Sequence, residues 1–383
     1  MRFGGVHSAG PIAAAIDAHE VRLLQLEPRA DVMRVVAAAR QPLPPDLPRR
    51  GPEAHEAIAR IIREAAAKRG FVGKRLVTSL PPSVVHIKNL RLPLMPADEL
   101  PRAIEWEAKE RVQLEPEPHL FRFFDAGEVR QGEESRREII LLAVAESYAE
   151  GHAAALFDKG FHLEAIEAAP AGLARFVRRS GSTDRAVMLL DIGNDTSTAM
   201  ILSHGRVLFC KSVPIGSHQL DQAAATYLDL PTEEARRLRL RFDRGEESIA
   251  VPPAEGEGDA GDADPGDADP VGDEARRAVF EAVRPCLSDL AKEVGLCLRY
   301  FGVTFRGERP TEVSLSGEES DSRWLAQVLA ESASVAVGCA DPLRRCEAGD
   351  VALREDAASS AWAVAWGAAL RSPHEHAVRK EAA

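Results

Sequence analysis

This 383-residue sequence predicts a two-lobed α/β fold with a small extra β-α-β-β subdomain, on three observations. The first is the stretch from Ala186 to Phe209. It holds an apolar strand (Ala186-Val187-Met188-Leu189-Leu190), the tip Asp191-Ile192-Gly193-Asn194-Asp195-Thr196-Ser197, a second apolar strand, and a turn at His204-Gly205. The second is an echo of that pattern near the start, where Ile16-Asp17 is followed by Val21-Arg22-Leu23-Leu24-Gln25-Leu26. Two related halves, each offering an aspartate-tipped hairpin toward a common cleft, describe two lobes. The third is that short apolar runs alternate with segments of helical period, as α/β architectures require.

The tip at 191–197 has two readings, which the residues alone leave open. In one it wraps a phosphate. Gly193 lets the backbone approach, the amides around Asn194 form an anion-binding concavity, and Thr196 and Ser197 donate further hydrogen bonds. Asp191 then faces the phosphates and holds a magnesium ion through water. In the other it is an ordinary hairpin with an Asp-Gly turn.

The elements follow in order. Strands are expected at Ile12–Ile16, Val21–Leu26 and Val32–Ala38, before a Pro-rich connection. Ala54–Arg69 places Ile58, Ile61, Ile62 and Ala65 on one helical face, stopped by Gly70, and Lys74–Leu80 is a further strand. Ser83–Ala145 is the extra subdomain: a strand at Val84–Leu92, a helix through Val112 carrying Leu100, Ile104, Trp106 and Ala108, and strands near Phe121–Asp125 and Glu138–Ala145. A helix (Ser147–Lys159), a strand (Glu164–Ala168) and a helix (Ala171–Arg179) lead to the central hairpin. Helices at Ser217–Tyr227, Thr232–Arg241, Asp273–Tyr300 and Trp324–Ser332 follow, with a strand at Glu312–Leu315 and a last helix at Ala358–Leu370. The domain division expected is 1–82 for the first lobe, 83–145 for the extra subdomain and 146–185 for inter-lobe helices. Residues 186–335 then form the second lobe, and 336–383 return to the first and supply a tail.

Composition narrows the function classes. Hydrophobic residues are 45% and aromatic ones 5%, so the cores are built from Ala, Val, Leu and Ile. Five scattered cysteines without a CxxC pair predict reduced thiols in a cytoplasmic protein, and Cys339 and Cys346 are too sparse for a metal site. No secretory signal and no membrane-spanning run is visible. Between Pro253 and Glu274 stand nine acidic residues and no lysine or arginine, which account for most of the net charge of −12. That tract cannot bury apolar surface and is expected to be a disordered loop. Nucleic-acid binding has no basic patch to support it. Trp362 and Trp366 lie four apart and share one helical face, which predicts core packing against the first lobe, with ligand stacking the alternative.

On these residues the chain resembles the actin/Hsp70 superfamily and, within it, the PilM family of type IV pilus assembly proteins. Asp191-Ile192-Gly193-Asn194-Asp195-Thr196-Ser197 is similar to the family's second phosphate loop, and Ser212-Val213-Pro214-Ile215-Gly216 to the segment after it. Leu315-Ser316-Gly317 resembles the start of the adenosine-binding Leu-Ser-Gly-Gly turn. Ala169–Arg175 and the segment Ala365-Trp366-Gly367-Ala368-Ala369-Leu370-Arg371 resemble the two helices that cross between lobes. Glu99–Ala108 resembles the helix of the subdomain shared with FtsA, and Val337…Ala340-Asp341-Pro342-Leu343 matches late in the chain.

The resemblance implies an actin-like (ribonuclease H-like) fold. It implies ATP and Mg²⁺ as cofactors, with Asp191, Gly193, Asn194, Thr196, Ser197, Gly317 and Gly367 as nucleotide-binding positions and Asp17 and Asp191 as metal positions if Mg-ATP binds. It also implies a membrane-anchored PilN-like partner whose cytoplasmic tail enters the cleft beside the extra subdomain, placing the chain at the inner membrane through that partner. Self-association stays open.

Departures from the family pattern weaken the nucleotide expectation. The first phosphate loop, Asp-Ile-Gly-Ser-Ser-Ser in the family, is here Asp17-Ala18-His19-Glu20, about two residues shorter and lacking glycine and hydroxyl. Asp17 is then expected to cap a hairpin in preference to binding metal, and His19 to be an exposed turn residue. Glu20 adds a negative charge where a phosphate would sit, a repulsion of several kcal/mol at ~4 Å when unpaired. Glu318 and Glu319 follow Gly317 where the family has a second glycine, so a side chain crowds the base or ribose. A PilM-like adaptor with weak or lost nucleotide binding is therefore the leading expectation. An active ATPase of the same machinery is the alternative, and a superfamily sugar or acyl kinase a third.

Overall fold

The computed structural model describes residues 9–29, 32–112, 114–180, 185–245, 270–305, 309–341, 346–347 and 359–371. Most of the acidic tract at 253–274, the match at Pro342-Leu343 and the polar tail lie outside the described residues.

β1 (Ile12–Ile16) and β2 (Glu20–Arg29) make an antiparallel hairpin with Ile16 opposite Val21, and β3 (Val32–Pro42) continues it. α1 (Pro52–Lys68) then crosses to β4 (Arg75–Leu80), which runs parallel to β1. The chain next builds a separate three-stranded sheet from β5 (His86–Pro93), α2 (Leu100–Arg111), β6 (His119–Gln131) and β7 (Glu134–Ala145), with β7 in the centre. α3 (Glu146–Asp158) leads to β8 (His162–Ala168), which returns beside β4, and α4 (Ala169–Ser180) enters the second lobe.

There β9 (Val187–Ile192), β10 (Ser197–Ser203) and β11 (Arg206–Val213) repeat the antiparallel meander. α5 (Ser217–Leu228), α6 (Thr232–Arg244) and α7 (Pro270–Phe305) precede β12 (Glu312–Gly317). α8 (Arg323–Ala333), β13 (Ala336–Cys339), the short β14 (Cys346–Glu347) and α9 (Ala363–Ala369) complete the described elements.

The duplication read from the two aspartate hairpins extends to whole sheets. The first lobe orders its strands β3-β2-β1-β4-β8 and the second β11-β10-β9-β12-β13. Each is a three-stranded meander followed by two parallel strands that need crossovers. β14 adds to the outer edge of the first sheet alone.

Both faces of each sheet are covered, so the central strands are apolar throughout. On β1, Ile12, Ala14 and Ile16 pack with Ile58, Ile62 and Leu156, while Ala13 and Ala15 face a cluster holding Leu173, Trp362 and Trp366. On β9, Met188, Leu190 and Ile192 pack with Leu287, Leu290 and Leu325 of the helical layer, and Leu189 joins the inter-lobe cluster. Trp362 and Trp366 are core residues, as their spacing predicts.

α4 and α9 cross between the lobes in near backbone contact. A Cβ built on Gly367 would lie 1.8 Å from the Gly172 carbonyl oxygen, so only glycine fits there. Arg175 of α4 donates to the Gly367 carbonyl at 2.7 Å and pairs with buried Glu167, which Arg371 also reaches at 3.2 Å.

Several elements differ from their expected bounds, three of them instructively. The β6–β7 ribbon is far longer than the expected strands at 121–125 and 138–145. Its outer part pairs polar residues, Glu128 opposite Arg137 and Arg130 opposite Ser135, so hydrophobic alternation gave no sign of it. The expected helix at 358–370 is a 3₁₀ turn (Ser359–Trp362) followed by α9. α7 reaches Phe305, about a turn beyond the expected end.

The extra subdomain docks on the second lobe through a polar cluster. Arg91 donates to Glu138 at 2.7 Å, to the Tyr300 hydroxyl at 3.0 Å and to Thr304 at 2.9 Å, while Tyr300 donates to Glu138 at 2.6 Å.

Candidate functional site

The cleft between the two hairpin tips brings together residues from distant parts of the chain. Asp191 lies on β9, where parallel pairing sets it beside Ser316 of β12. The Ser316 hydroxyl donates to Asp191 Oδ1 at 2.7 Å. Burial pushes the Asp191 carboxyl up to about 6; the Ser316 hydrogen bond opposes this and the nearby Asp17 charge adds to it. Asp17, at the end of β1, is also raised by burial, against the pull of Arg22 and with the Glu318 charge adding. Its carboxylate accepts from its own hairpin (Ala18 N–H, 2.7 Å) and from the opposite lobe (Asn194 N–H, 3.3 Å). Asp17 therefore caps its turn and ties the two tips together.

Several donors of the second loop are engaged within the protein. Gly193 N–H donates to Thr196 carbonyl at 3.1 Å, and a Cβ there would lie 2.8 Å from that oxygen. The glycine is thus already required by the tightness of the hairpin. Buried Ser197 donates its hydroxyl to the Ile215 carbonyl at 2.6 Å. The Gly193 and Asn194 carbonyls accept from Ser217 N–H (3.0 Å) and His218 N–H (2.9 Å), so the loop satisfies amides at the start of α5 that could otherwise hold an anion. The Asn194 side-chain nitrogen lies 3.5 Å from Ser217 Oγ, and its Oδ1 is buried without a hydrogen-bond partner. Thr196 is half-buried in the same tip. Asp195 pairs with Arg49 of the first lobe and lies 3.8 Å from His19.

Gly317 ends β12 at φ +86°, where a Cβ would fall 2.1 Å from the Ile192 carbonyl oxygen. The next two residues point to opposite sides. Glu319 turns inward to a fully buried Arg239, which donates to both Glu319 oxygens at 2.8 Å and to Asp221 at 2.7 and 2.9 Å. Glu318 turns into the cleft. It accepts from Arg22 of β2 at 2.9 Å, from the Ser217 hydroxyl at 3.1 Å and from Arg236 at 3.3 Å, and Arg40 lies 3.7 Å away. Burial alone would raise the Glu318 carboxyl, but Arg22, Arg236 and Arg40 overcome it and hold its pKa below the usual value.

Glu20 is not the unpaired charge that the loop sequence predicts: it pairs with both Arg22 and Arg40. The cleft thus contains a compensated array of carboxylates and guanidiniums. The structure gathers Asp17, Asp191, Gly193, Asn194, Thr196, Ser197 and Gly317 around this cleft, whereas Gly367 sits at the α4–α9 crossing against Gly172. Sequence reasoning missed Arg22, Arg40 and Arg236. The available signal was a surplus of carboxylates at the loops, which demands cationic partners once buried.

Comparison with known proteins bears on the same region. The sequence model of the family described as type IV pilus assembly protein PilM matches residues 14–248. The chain belongs to the PilM family. Among solved structures it is similar to a "PilM-PilN type IV pilus biogenesis complex", at 22% identity and a TM-score of 0.72, covering 96% of this chain and 98% of that one. It is also similar to the ethanolamine utilization protein EutJ from Carboxydothermus hydrogenoformans, at 14% identity and a TM-score of 0.55, covering 95% and 90%. The fold of this PilM family member is therefore the two-lobed actin-like one that the resemblance implies. No curated protein matches the sequence significantly. Among the described residues no helix is long and apolar enough to cross a membrane.

Proposed function

We propose that this PilM family member is a cytoplasmic adaptor of a pilus or secretion platform whose cleft is closed by its own residues and binds nucleotide weakly or not at all. The observation that carries the reading is the Glu318 carboxylate, which occupies the cleft and hydrogen-bonds Arg22 across it at 2.9 Å. An actin-like ATPase needs glycine backbone for the nucleoside and free amides and hydroxyls for the phosphates. Here a glutamate follows Gly317, the Ser197 hydroxyl is spent on Ile215 and the Asn194 amide on Asp17. These residues do not fit Mg-ATP as they stand.

In this reading the partner is the cytoplasmic tail of a membrane-anchored PilN-like protein, supported by family membership and by the likeness to a PilM–PilN complex. The chain then reaches the inner membrane through that partner, and the extra subdomain at 83–145 borders the receiving cleft.

The second reading, an active ATPase, rests on Asp17 and Asp191 meeting in the cleft as a magnesium site would require. Calorimetry with Mg-ATP on the wild type and on Asp191→Ala separates the two. The adaptor reading expects no heat up to millimolar ATP, together with binding of a synthetic PilN-type tail peptide. Micromolar ATP binding abolished by the substitution supports the ATPase instead.

A further inference from the structure

A second constellation, far in sequence from the cleft, lies at the base of the extra subdomain. His86 opens β5, His119 opens β6, and Glu115 stands in the loop between α2 and β6. In the β5-β7-β6 sheet His86 pairs opposite Ala143 and His119 opposite Ala145. Ala143 and Ala145 are two apart on the central strand, so both imidazoles rise on one face above a pair of small side chains. Glu115 reaches the same point from the loop.

One donor atom from each residue converges. His86 Nε2 is 3.3 Å and His119 Nε2 3.7 Å from Glu115 Oε2, and all three atoms lie within 4.8 Å of one another. Ligands about 2.0–2.1 Å from a tetrahedral zinc ion stand about 3.3–3.4 Å apart, so the separations need only modest closure.

The surroundings orient these atoms as metal ligands are oriented. His119 Nδ1 is 2.7 Å from the Glu117 carbonyl oxygen and donates to it, which turns the Nε2 lone pair toward Glu115 and His86. The His119 side chain is 3% exposed, and its Nε2 is buried with no hydrogen-bond partner. Glu115 Oε2 is likewise buried without a hydrogen bond, while Oε1 accepts from Arg50 at 3.1 Å. A buried imidazole nitrogen and a buried carboxylate oxygen facing each other without a hydrogen bond are unsatisfied unless something pairs them.

We propose that His86, Glu115 and His119 bind a divalent transition-metal ion, zinc in the first instance, with a further coordination position left to solvent or to another molecule. Two imidazoles and one carboxylate are borderline nitrogen and oxygen donors that suit zinc over magnesium or calcium. The ion would join β5, β6 and the 114–118 loop and, through Arg50 on Glu115, fix the extra subdomain to the first lobe. The site is independent of the reading of the nucleotide cleft.

The test is titration of tag-free, chelator-stripped protein with Zn²⁺ by calorimetry and with Co²⁺ by visible absorption. One-to-one binding is expected, with the absorption of four-coordinate cobalt and displacement by zinc. His86→Ala and Glu115→Gln, both at partly exposed positions and checked for folding by circular dichroism, are expected to weaken zinc at least ~10-fold. Cys339→Ser should leave binding unchanged. No binding by the wild type, or binding that the His86 and Glu115 variants retain, overturns the assignment and leaves an ion-pair cluster alone.

Discussion

Arg22 on the second strand and Glu318 at the end of β12 are 296 residues apart in sequence, yet their side chains meet at 2.9 Å across the inter-lobe cleft. The pair is the centre of an array in which three guanidiniums surround one carboxylate. Removing one partner of a buried ion pair typically costs about 3–5 kcal/mol, because the remaining charges stay desolvated. Glu318→Gln is therefore expected to lower unfolding stability by roughly 3 kcal/mol in chemical denaturation. Unchanged stability would mean that the pair opens freely in solution.

Glu318→Gly restores the glycine that the family has at this turn and leaves Arg22, Arg40 and Arg236 facing an emptied pocket. Added phosphate should then raise the midpoint of thermal unfolding of the variant well beyond any effect on the wild type, since ligands that bind only the folded state stabilise it. Equal phosphate responses in both proteins would show that the three arginines do not form an anion site.

The pH dependence of stability should carry a signature of His152. Its ring is fully buried, 3.2 Å from Thr78, and burial, with the neighbouring His55 adding, lowers its pKa to about 4. The unfolded chain takes up this proton near pH 6.5 and the folded one only near pH 4, so stability is full above 6.5 and is lost as pH falls through that window. The loss amounts to about 3 kcal/mol for this group. Asp191 slopes the other way: its folded pKa is raised, so it favours the folded state as pH falls from about 6 toward 3.8. The measurement is thus the difference between wild type and His152→Gln, which keeps a donor for Thr78 and cannot charge. The wild type should lose more stability than the variant between pH 7.5 and pH 5.

Two glycines in helices should respond oppositely to alanine. Gly367→Ala places a methyl 1.8 Å from the Gly172 carbonyl and must push α4 and α9 apart. A loss above ~4 kcal/mol or insoluble protein is expected, as for severe core overpacking. Gly295, inside α7, has nothing within 4 Å of a built Cβ, so Gly295→Ala should stabilise by about 0.5–1 kcal/mol. Urea denaturation of both variants checks the pair. A tolerated Gly367→Ala would contradict the close crossing.

Docking of the proposed PilN-like tail beside the extra subdomain would be visible in tryptophan fluorescence. Trp106 on α2 is 61% exposed, whereas Trp324, Trp362 and Trp366 are at most 6% exposed. A PilN-type tail peptide is expected to shift the emission, and Trp106→Phe should remove most of that shift. A shift that persists in the variant places the peptide elsewhere.

The sequence by itself determined the duplicated fold. A buried central strand must be apolar on both faces, and two such strands here, β1 and β9, run into an aspartate beside a hairpin turn, so Asp17 and Asp191 were legible as equivalents. Trp362 and Trp366 were legible as core from their four-residue spacing, although Trp362 ends a 3₁₀ turn and only Trp366 lies within α9. What only the tertiary structure decided concerns charges. Glu20 and Glu318 read as obstacles to an anion when considered alone, but folding brings Arg40 to Glu20, and Arg22, Arg40 and Arg236 to Glu318 from three separate elements. The convergence of His86 on Glu115 and His119 is of the same kind, set by strand register around Ala143 and Ala145. Periodicity records which way a side chain faces within its own element. Compensation between charges depends on distances across elements, which no local pattern in the chain encodes.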